Sequence, residues 1–292
     1  MIKTTIIILL VFVSQWTNAV NFEYQDIDDL NKVLSTFMRD KALSETQPSE
    51  IKKPLVIFDI DDTLLASKYF VGSDKWYNWQ RGRDMQDPKG STIRIAETDK
   101  FFCLFDFLGT FFDLGDSLST QPDASSVFNK IKKQPLNLLI LTSRSPDYRG
   151  ATQRELKQNG FDINGLHLMK NNLDLSFYFS EGNRVATITY KNGIVMTAGM
   201  DKGRVLMALL NKLDVRTQDI YFVDDNLKNI HNMQQAWKHE SVRIHSFHYT
   251  HIDKSISTQE IEQSRIVQLK LKNLLTSLNP EKALAIENGK CQ

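Results

Sequence analysis

Cysteine is the scarcest residue in this 292-residue chain, present only as Cys103 and Cys291. Two such distant residues cannot supply the clustered ligands of a structural zinc site. An oxidising compartment would permit them to pair, but nothing in the sequence requires it, and both are expected to be free thiols. An excess of one charge is also missing. Lys plus Arg number 36 and Asp plus Glu 35, a net charge of +1. Such a balance gives no field that would draw nucleic acid or an anionic membrane, so neither is an expected partner. There is no internal repeat and no low-complexity tract. Beyond the N-terminal segment no apolar run reaches the length of a membrane span. What remains is ordinary globular composition, 41% apolar and 24% charged, enough for one large domain or a core with a cap.

The N-terminal segment is different. Lys3 gives a positive start, Ile6 to Val13 is an unbroken apolar run, and Thr17-Asn18-Ala19 ends it with a small-residue cleavage pattern. This reads as a signal peptide over residues 1–19, cut after Ala19, and predicts a secreted or periplasmic protein with no stable span after processing. An uncleaved anchor or a buried first helix is the competing reading. No cysteine follows the run to accept a lipid.

The stretch that organises the rest is Leu55-Val56-Ile57-Phe58-Asp59-Ile60-Asp61-Asp62-Thr63-Leu64. A short apolar run bounded by Pro54 reads as a buried parallel strand. Carboxylates at its carboxyl end stand where open α/β sheets bind ligands. Before it, apolar spacing from Ile27 to Met38 predicts a helix from Asp26 to about Leu43. After it comes an aromatic-dense segment, 65–123, too long for a simple connection and expected to be a mostly helical cap. Its aromatics are expected to form the cap's own small core rather than a ligand cage.

Alternation then resumes. Helices are expected at Ser125–Lys133 and Tyr148–Gln158, and strands at Leu136–Leu141 and Ile163–Met169. Residues 175–198 read as an inserted β-hairpin turning at Asn192-Gly193, either a small second lid or an edge addition. Asp201 is the expected N-cap of a helix that carries Lys202 in its first turn. Ile220–Val223 reads as a strand running into Asp224-Asp225, with a helix from Leu227 to Trp237 and a last strand at Val242–Tyr249. Ser257 and Glu260 form a capping-box pattern for a helix to about Leu278. The expected organisation is a doubly wound, three-layer α/β core (20–64 and 124–280), the cap, and a flexible tail over 281–292.

Asp59 with Asp61, Thr142, Lys202, and Asp224 with Asp225 thus all fall at strand ends or a helix start. In a doubly wound sheet these ends converge on one crevice. Four acids at one point repel each other unless a hard cation intervenes, and Mg²⁺ prefers one or two carboxylates plus phosphate oxygens. Lys202 and the Thr142 hydroxyl suit the remaining phosphate oxygens. One free carboxylate can attack phosphorus and another can shuttle the proton, so the set fits phosphoryl transfer.

In order, Asp59-Ile60-Asp61-Asp62-Thr63, Leu141-Thr142-Ser143, Lys202 and Val223-Asp224-Asp225 resemble the four motifs of the haloacid dehalogenase-like (HAD) hydrolases. The resemblance covers the core, Pro54 to Tyr249 without its two insertions. It implies a Rossmann-like fold, Mg²⁺ as cofactor, Asp59 as nucleophile and metal ligand, and Asp61 as acid/base that also offers its carbonyl to the metal. It implies that Thr142, Ser143 and Lys202 hold the phosphoryl group. Asp225 is the implied direct metal ligand with Asp224 supporting, although the two could exchange roles. An acid at Asp61 and Thr63 fit the phosphatase branch rather than the dehalogenases. The chain is most similar to an uncharacterised secreted branch of bacterial HAD-like proteins with a cap insertion, and is less similar to the secreted acid phosphatases of the same superfamily.

The expected function is therefore a secreted, Mg²⁺-dependent phosphatase of a small phosphorylated substrate. The alternatives are a phosphotransferase, or a secreted binding or effector-type protein that keeps the fold and metal site without catalysis. Asp62 is expected to be a turn or capping residue. Arg144 and Asp147 fit either a phosphate-side role or an exposed loop. His245, His248 and His251 alternate faces of one strand and should not share a metal. Whether the cap is a lid or a partner surface, and the oligomeric state, stay open.

Overall fold

The chain gathers around the apolar run at Leu55–Phe58, all four residues of which are buried. The computed structural model describes residues 23–44, 53–168 and 173–291, so the expected signal peptide lies outside the described residues. In chain order, β1 (Tyr24–Ile27) and α1 (Asn31–Ser44) precede β2 (Leu55–Phe58). The inserted segment holds β3 (Leu65–Ser67), α2 (Asp74–Gln80), β4 (Met85–Gln86), β5 (Thr92–Ile93), α3 (Leu104–Leu114) and β6 (Ser117–Ser119). The core resumes with α4 (Ala124–Lys132), β7 (Asn137–Thr142), α5 (Arg149–Gln158), β8 (Leu175–Glu181), β9 (Arg184–Lys191) and β10 (Ile194–Met196). Then follow α6 (Lys202–Lys212), β11 (Asp219–Asp224), α7 (Leu227–Trp237), β12 (Arg243–Tyr249), α8 (Thr258–Leu278) and α9 (Pro280–Glu287).

The main sheet has eight strands in the order β1-β12-β11-β2-β7-β10-β9-β8. The first six are parallel to their neighbours, and β9 and β8 run antiparallel at the edge. From β2 the chain steps outward to β7 and β10, then returns to β11 on the other side of β2. The order reverses at β2 and β11, the switch point where such sheets form their crevice. One apolar layer, including Val33, Phe128, Ile131 and Tyr249, covers one face. The other, including Leu206, Leu209, Ile230 and Met233, covers the opposite face. This is the three-layer, doubly wound core that the HAD-like resemblance implies.

Several expectations need correction. The N-terminal helix starts at Asn31, because Tyr24–Ile27 pairs instead with β12 as an edge strand. No strand forms over residues 163–168; Met169 lies outside the described residues. The place beside β7 goes to β10, which reaches it through the Asn192-Gly193 turn. Both turn residues have positive φ, 50° and 69°, as a type I′ hairpin turn demands. A Cβ on Gly193 would meet Leu166 Cβ at 2.2 Å, so glycine is required there twice over. Residues 175–198 are thus a meander that widens the core sheet, the edge addition rather than a second lid.

The inserted segment leaves the core on the antiparallel pair β3 and β6 and is mixed, not mostly helical. Trp76, Trp79, Phe70 and Phe101 do form its own core. Helix α8, with its capping box from Ser257 and Glu260, belongs to that cap rather than to the sheet. Ile256, Ile261 and Leu271 complete the aromatic cluster, and Trp76 Nε1 donates to Ser264 Oγ at 2.9 Å. Arg265 forks onto Asp99 at 2.6 and 2.9 Å.

The tail is not a flexible segment. It carries α9 and ends in a disulfide from Cys291 to Cys103, and no free cysteine remains. The expectation of two free thiols was wrong because α9 folds back beside α8, which no local signal announces. Thiol titration of the denatured, unreduced protein should find no free thiol, and two after reduction. Cys103→Ser should lower stability by about 2–4 kcal/mol in urea unfolding. Two thiols before reduction would contradict this pairing.

Candidate active site

Strand β2 ends in Asp59, and β11 beside it ends in Asp224. The Asp59 N–H donates to Val223 O at 2.9 Å, which locks the two strand ends together. Three N–H groups, of Thr63, Leu64 and Leu65, then converge on Ile60 O, so the chain turns at once. Asp62 takes a left-handed φ of 55° to complete the turn. Asp61 is thereby lifted to the crevice mouth, 34% exposed, while Asp59 stays buried below. Thr63 points inward. Its Oγ1 accepts from the Asp225 N–H at 3.0 Å and fixes the loop that carries Asp225.

Asp201 caps α6 by accepting from the Arg204 N–H at 2.9 Å, which sets Lys202 as the first helical residue. Gly203 lets α6 approach α7, since a Cβ there would lie 2.8 Å from the Asn232 carbonyl oxygen. Lys202 is 1% exposed, and its Nζ lies 2.7 Å from both Asp59 Oδ1 and Asp224 Oδ2. The contact to Asp224 is a hydrogen bond. The contact to Asp59 is a close ion pair, and no donor besides Lys202 reaches Asp59 Oδ1. Burial alone would push the Lys202 ammonium down, but Asp224 and Asp59 outweigh it and hold it above its ordinary value. Burial pushes Asp59 up to about 7; Lys202 opposes this, and Asp224 and Asp61 add to it.

Asp224 is fully buried and saturated. Beyond Lys202 it accepts from the Asn226 N–H at 2.9 Å and from Asn229 Nδ2 at 3.0 and 3.2 Å. Asp225 gives Oδ2 to Lys254 at 2.8 Å, and among the described residues no donor reaches its Oδ1. Oxygens of Asp59, Asp224 and Asp225 lie within 4.8 Å of one another. Burial, moderated by Lys254, drives the Asp225 carboxyl well above its ordinary range. An orphaned carboxylate oxygen beside two more acids is a donor set suited to a hard divalent cation. Thr142, at the end of β7, is fully buried, and its Oγ1 accepts from the Arg144 N–H at 3.2 Å. Ser143 is exposed and lines the crevice beside Asp61 and Arg144. All seven residues singled out from the sequence therefore sit at one rim of the sheet.

Two further cations complete the site: Arg144, which the sequence left open between a phosphate-side role and an exposed loop, and Lys254, which it did not single out. Arg144 is buried, not in a solvated loop. Its Nη2 and Nε hold Asp61 at 2.8 and 3.1 Å, and its Nη1 donates to Glu155 at 2.6 Å and Thr152 at 3.1 Å. The guanidinium stacks 4.2 Å above the Phe112 ring of the cap. Lys254, in the loop before α8, bonds three acids at once: Asp62, Asp225, and Asp74 of the cap at 3.0 Å. Asp62 is thus a buried ion-pair member as well as a turn residue; burial pushes it up to about 6 against the pull of Lys254. Asp147 stays outside, exposed and bonded to Ser145. The three histidines go separate ways, His245 to Asp219, His248 to Asp26 and His251 to Asp28 O.

Comparison with known proteins adds the following. The family described as "Protein of unknown function (DUF2608)" matches residues 26–282. No curated protein matches the chain. Among solved structures, a class C acid phosphatase from Bacillus anthracis is similar at 12% identity, covering 82% of this chain and 88% of that one, with a TM-score of 0.40. The HAD domain of the effector Lem4 from Legionella pneumophila is similar at 15% identity, covering 75% and 97%, with a TM-score of 0.36. The Legionella pneumophila effector Ceg4 is similar at 17% identity, covering 75% and 97%, with a TM-score of 0.33.

Removing one partner of the buried ion cluster should be costly. Lys202→Met is expected to lower unfolding free energy by about 3–5 kcal/mol in chelator-treated protein. Adding Asp59→Asn should recover part of that loss, because one stranded charge is gone. Urea unfolding of the single and double variants checks both, and a single variant as stable as the parent would contradict the cluster.

Proposed function

The chain belongs to the DUF2608 family, and from that premise we propose that it is a secreted HAD-type phosphomonoesterase acting through an aspartyl-phosphate intermediate. The observation that carries this reading is the meeting of Asp59, Asp61, Thr142, Lys202, Asp224 and Asp225 at one sheet rim, where oxygens of Asp59, Asp224 and Asp225 lie within 4.8 Å of one another.

Each residue has a task. Asp59, Asp225 and the Asp61 carbonyl would hold Mg²⁺, with Asp224 supporting through Lys202 and Asn229. Bound there, the ion would neutralise carboxylate and phosphate charge. Lys202, the Thr142 hydroxyl and Ser143 offset the charge of the phosphoryl oxygens. An Asp59 oxygen attacks phosphorus as the bond to the leaving oxygen breaks, and Asp61 gives that oxygen its proton. Asp61 then takes a proton from water as the water oxygen attacks the aspartyl phosphate. Inorganic phosphate leaves and the Asp59 carboxylate is restored. Arg144, anchored by Glu155 and Thr152, fixes the orientation of Asp61 throughout. Secretion is supported by the signal pattern at 1–19 and by the Cys103–Cys291 disulfide, which suits an oxidising compartment.

Purified protein should release phosphate from phenyl phosphate with Mg²⁺ and stop in excess chelator. Asp59→Asn should lower the rate by about 10³-fold or more while leaving the circular dichroism spectrum intact. Asp61→Asn should lower it by about 10²–10⁴-fold. Full activity in Asp59→Asn or in chelator would overturn the mechanism. Mg²⁺ binding without turnover of any phosphomonoester would favour the effector-type binding protein instead.

A further inference from the structure

The crevice above Asp61 opens into a cavity of about 700 Å³ between cap and core. Its lining is unbalanced in charge. Arg81 and Arg83 enter from the end of α2, Arg184 from the start of β9, and Lys228 from the first turn of α7. None of these four forms an ion pair among the described residues. The acids that line the same cavity, Asp61 and Asp74, are already matched by Arg144 and Lys254.

Each cation is placed by a different device. Arg184 is held by donating to Gly199 O at 3.3 Å and Ala198 O at 3.2 Å, which leaves most of its donors unused. The edge meander is what carries it back over the site. Arg83 is steadied by Asn78 Oδ1 at 2.6 Å, and the Arg81 guanidinium lies 5.4 Å above the Phe105 ring. Lys228 stands at a helix N-terminus, where the helix dipole disfavours a cation. Four uncompensated cations from cap and core exceed what one phosphate needs, since Lys202 already serves the scissile group. Aromatic rings lie among them. Phe105 is 56% exposed yet faces this cavity, with Tyr77 beside it at a ring distance of 6.4 Å.

Resting on the phosphatase reading, we propose that the substrate is a small phosphomonoester with a second anionic group and a planar ring, the chemistry of a nucleoside bisphosphate. The scissile phosphate lies over Asp59. Arg81 and Arg83 from the cap, and Arg184 and Lys228 from the core, take the second anion. Tyr77 offers its face to the ring, with Phe105 edge-on beside it under Arg81. Recognition on both sides of the crevice would draw the cap onto the core as the substrate binds.

Four compounds separate the parts: phenyl phosphate (ring alone), fructose 1,6-bisphosphate (second anion alone), adenosine 5′-monophosphate (a larger ring alone) and adenosine 3′,5′-bisphosphate (both). The parent protein should show the highest kcat/KM for adenosine 3′,5′-bisphosphate, by about tenfold or more over each other compound. The double variants R81Q/R83Q and R184Q/K228Q should each cut that value by about 10–100-fold, mainly through KM. The fall should exceed that for phenyl phosphate by at least about tenfold. Turnover of phenyl phosphate with no bisphosphate preference, or equal losses on both substrates, would overturn the substrate assignment and leave the phosphatase reading standing. Turnover of none of the four would overturn both.

Discussion

Lys202 Nζ, 2.7 Å from Asp59 and 2.7 Å from Asp224, ties together the first residue of a helix and the ends of the two central strands. Taking three charges this far out of water costs several kcal/mol per ion, and only close mutual pairing offsets it. The sheet must therefore keep β2 and β11 adjacent and in register, with Phe58 beside Val223, or the charges separate. The strand order provides that adjacency because strands before and after this parallel pair are added on opposite sides of it. The apolar layers on both faces exclude water from the pair and so raise the penalty for losing it. Fold and site thus constrain each other at one point.

Around this ammonium the structure repeats the same device twice. Arg144 joins Asp61 to Glu155 of α5 and presses against Phe112 of the cap. Lys254 joins Asp62 and Asp225 of the core to Asp74 of the cap. The cap is consequently fastened to the core by charges that belong to the site itself. Its outer side is fastened by other means: the α8 contacts with Trp76 and Asp99, and the Cys103–Cys291 bond.

The parts of this design that could be read in the sequence are those whose cause is local. Asp59, Thr142 and Asp224 each follow a short apolar run, and the run itself predicts a buried strand ending there. Lys202 was readable because Asp201 announces a helix start, and α8 because Ser257 and Glu260 form its box. The parts that escaped are those whose cause lies far along the chain. Lys254 meets partners 192, 180 and 29 residues away, and no spacing rule links them. Arg144 was visible but undecided, because only the packing of α3 and α5 removes it from solvent. β10 was legible as the arm after the Asn192-Gly193 turn, but at three residues it did not announce its place beside β7, which the apolar stretch at 163–169 claimed equally well. The cysteines are 188 residues apart, and their meeting depends on α9 folding back along α8.

The pairing of each acid with a cation from another element has a consequence for how the site works. Burial raises the carboxyls of Asp59, Asp225 and Asp62 against the pull of their ammonium partners, and Asp59, Asp224 and Asp225 have only Lys202 and Lys254 paired with them. The inner rim stays short of positive charge, and a hard divalent ion fits that shortage. The outer mouth, a few side chains away, has the opposite excess in Arg81, Arg83, Arg184 and Lys228. A molecule that is anionic along its length would complement the mouth directly and the rim through the ion. Asp74 and Phe112 tie the cap to Lys254 and Arg144, the groups that hold Asp225 and Asp61, so the cap that carries Arg81 and Arg83 is bonded to the residues that orient the rim. Charge at the mouth and alignment at the rim are therefore linked through the same cap–core contacts.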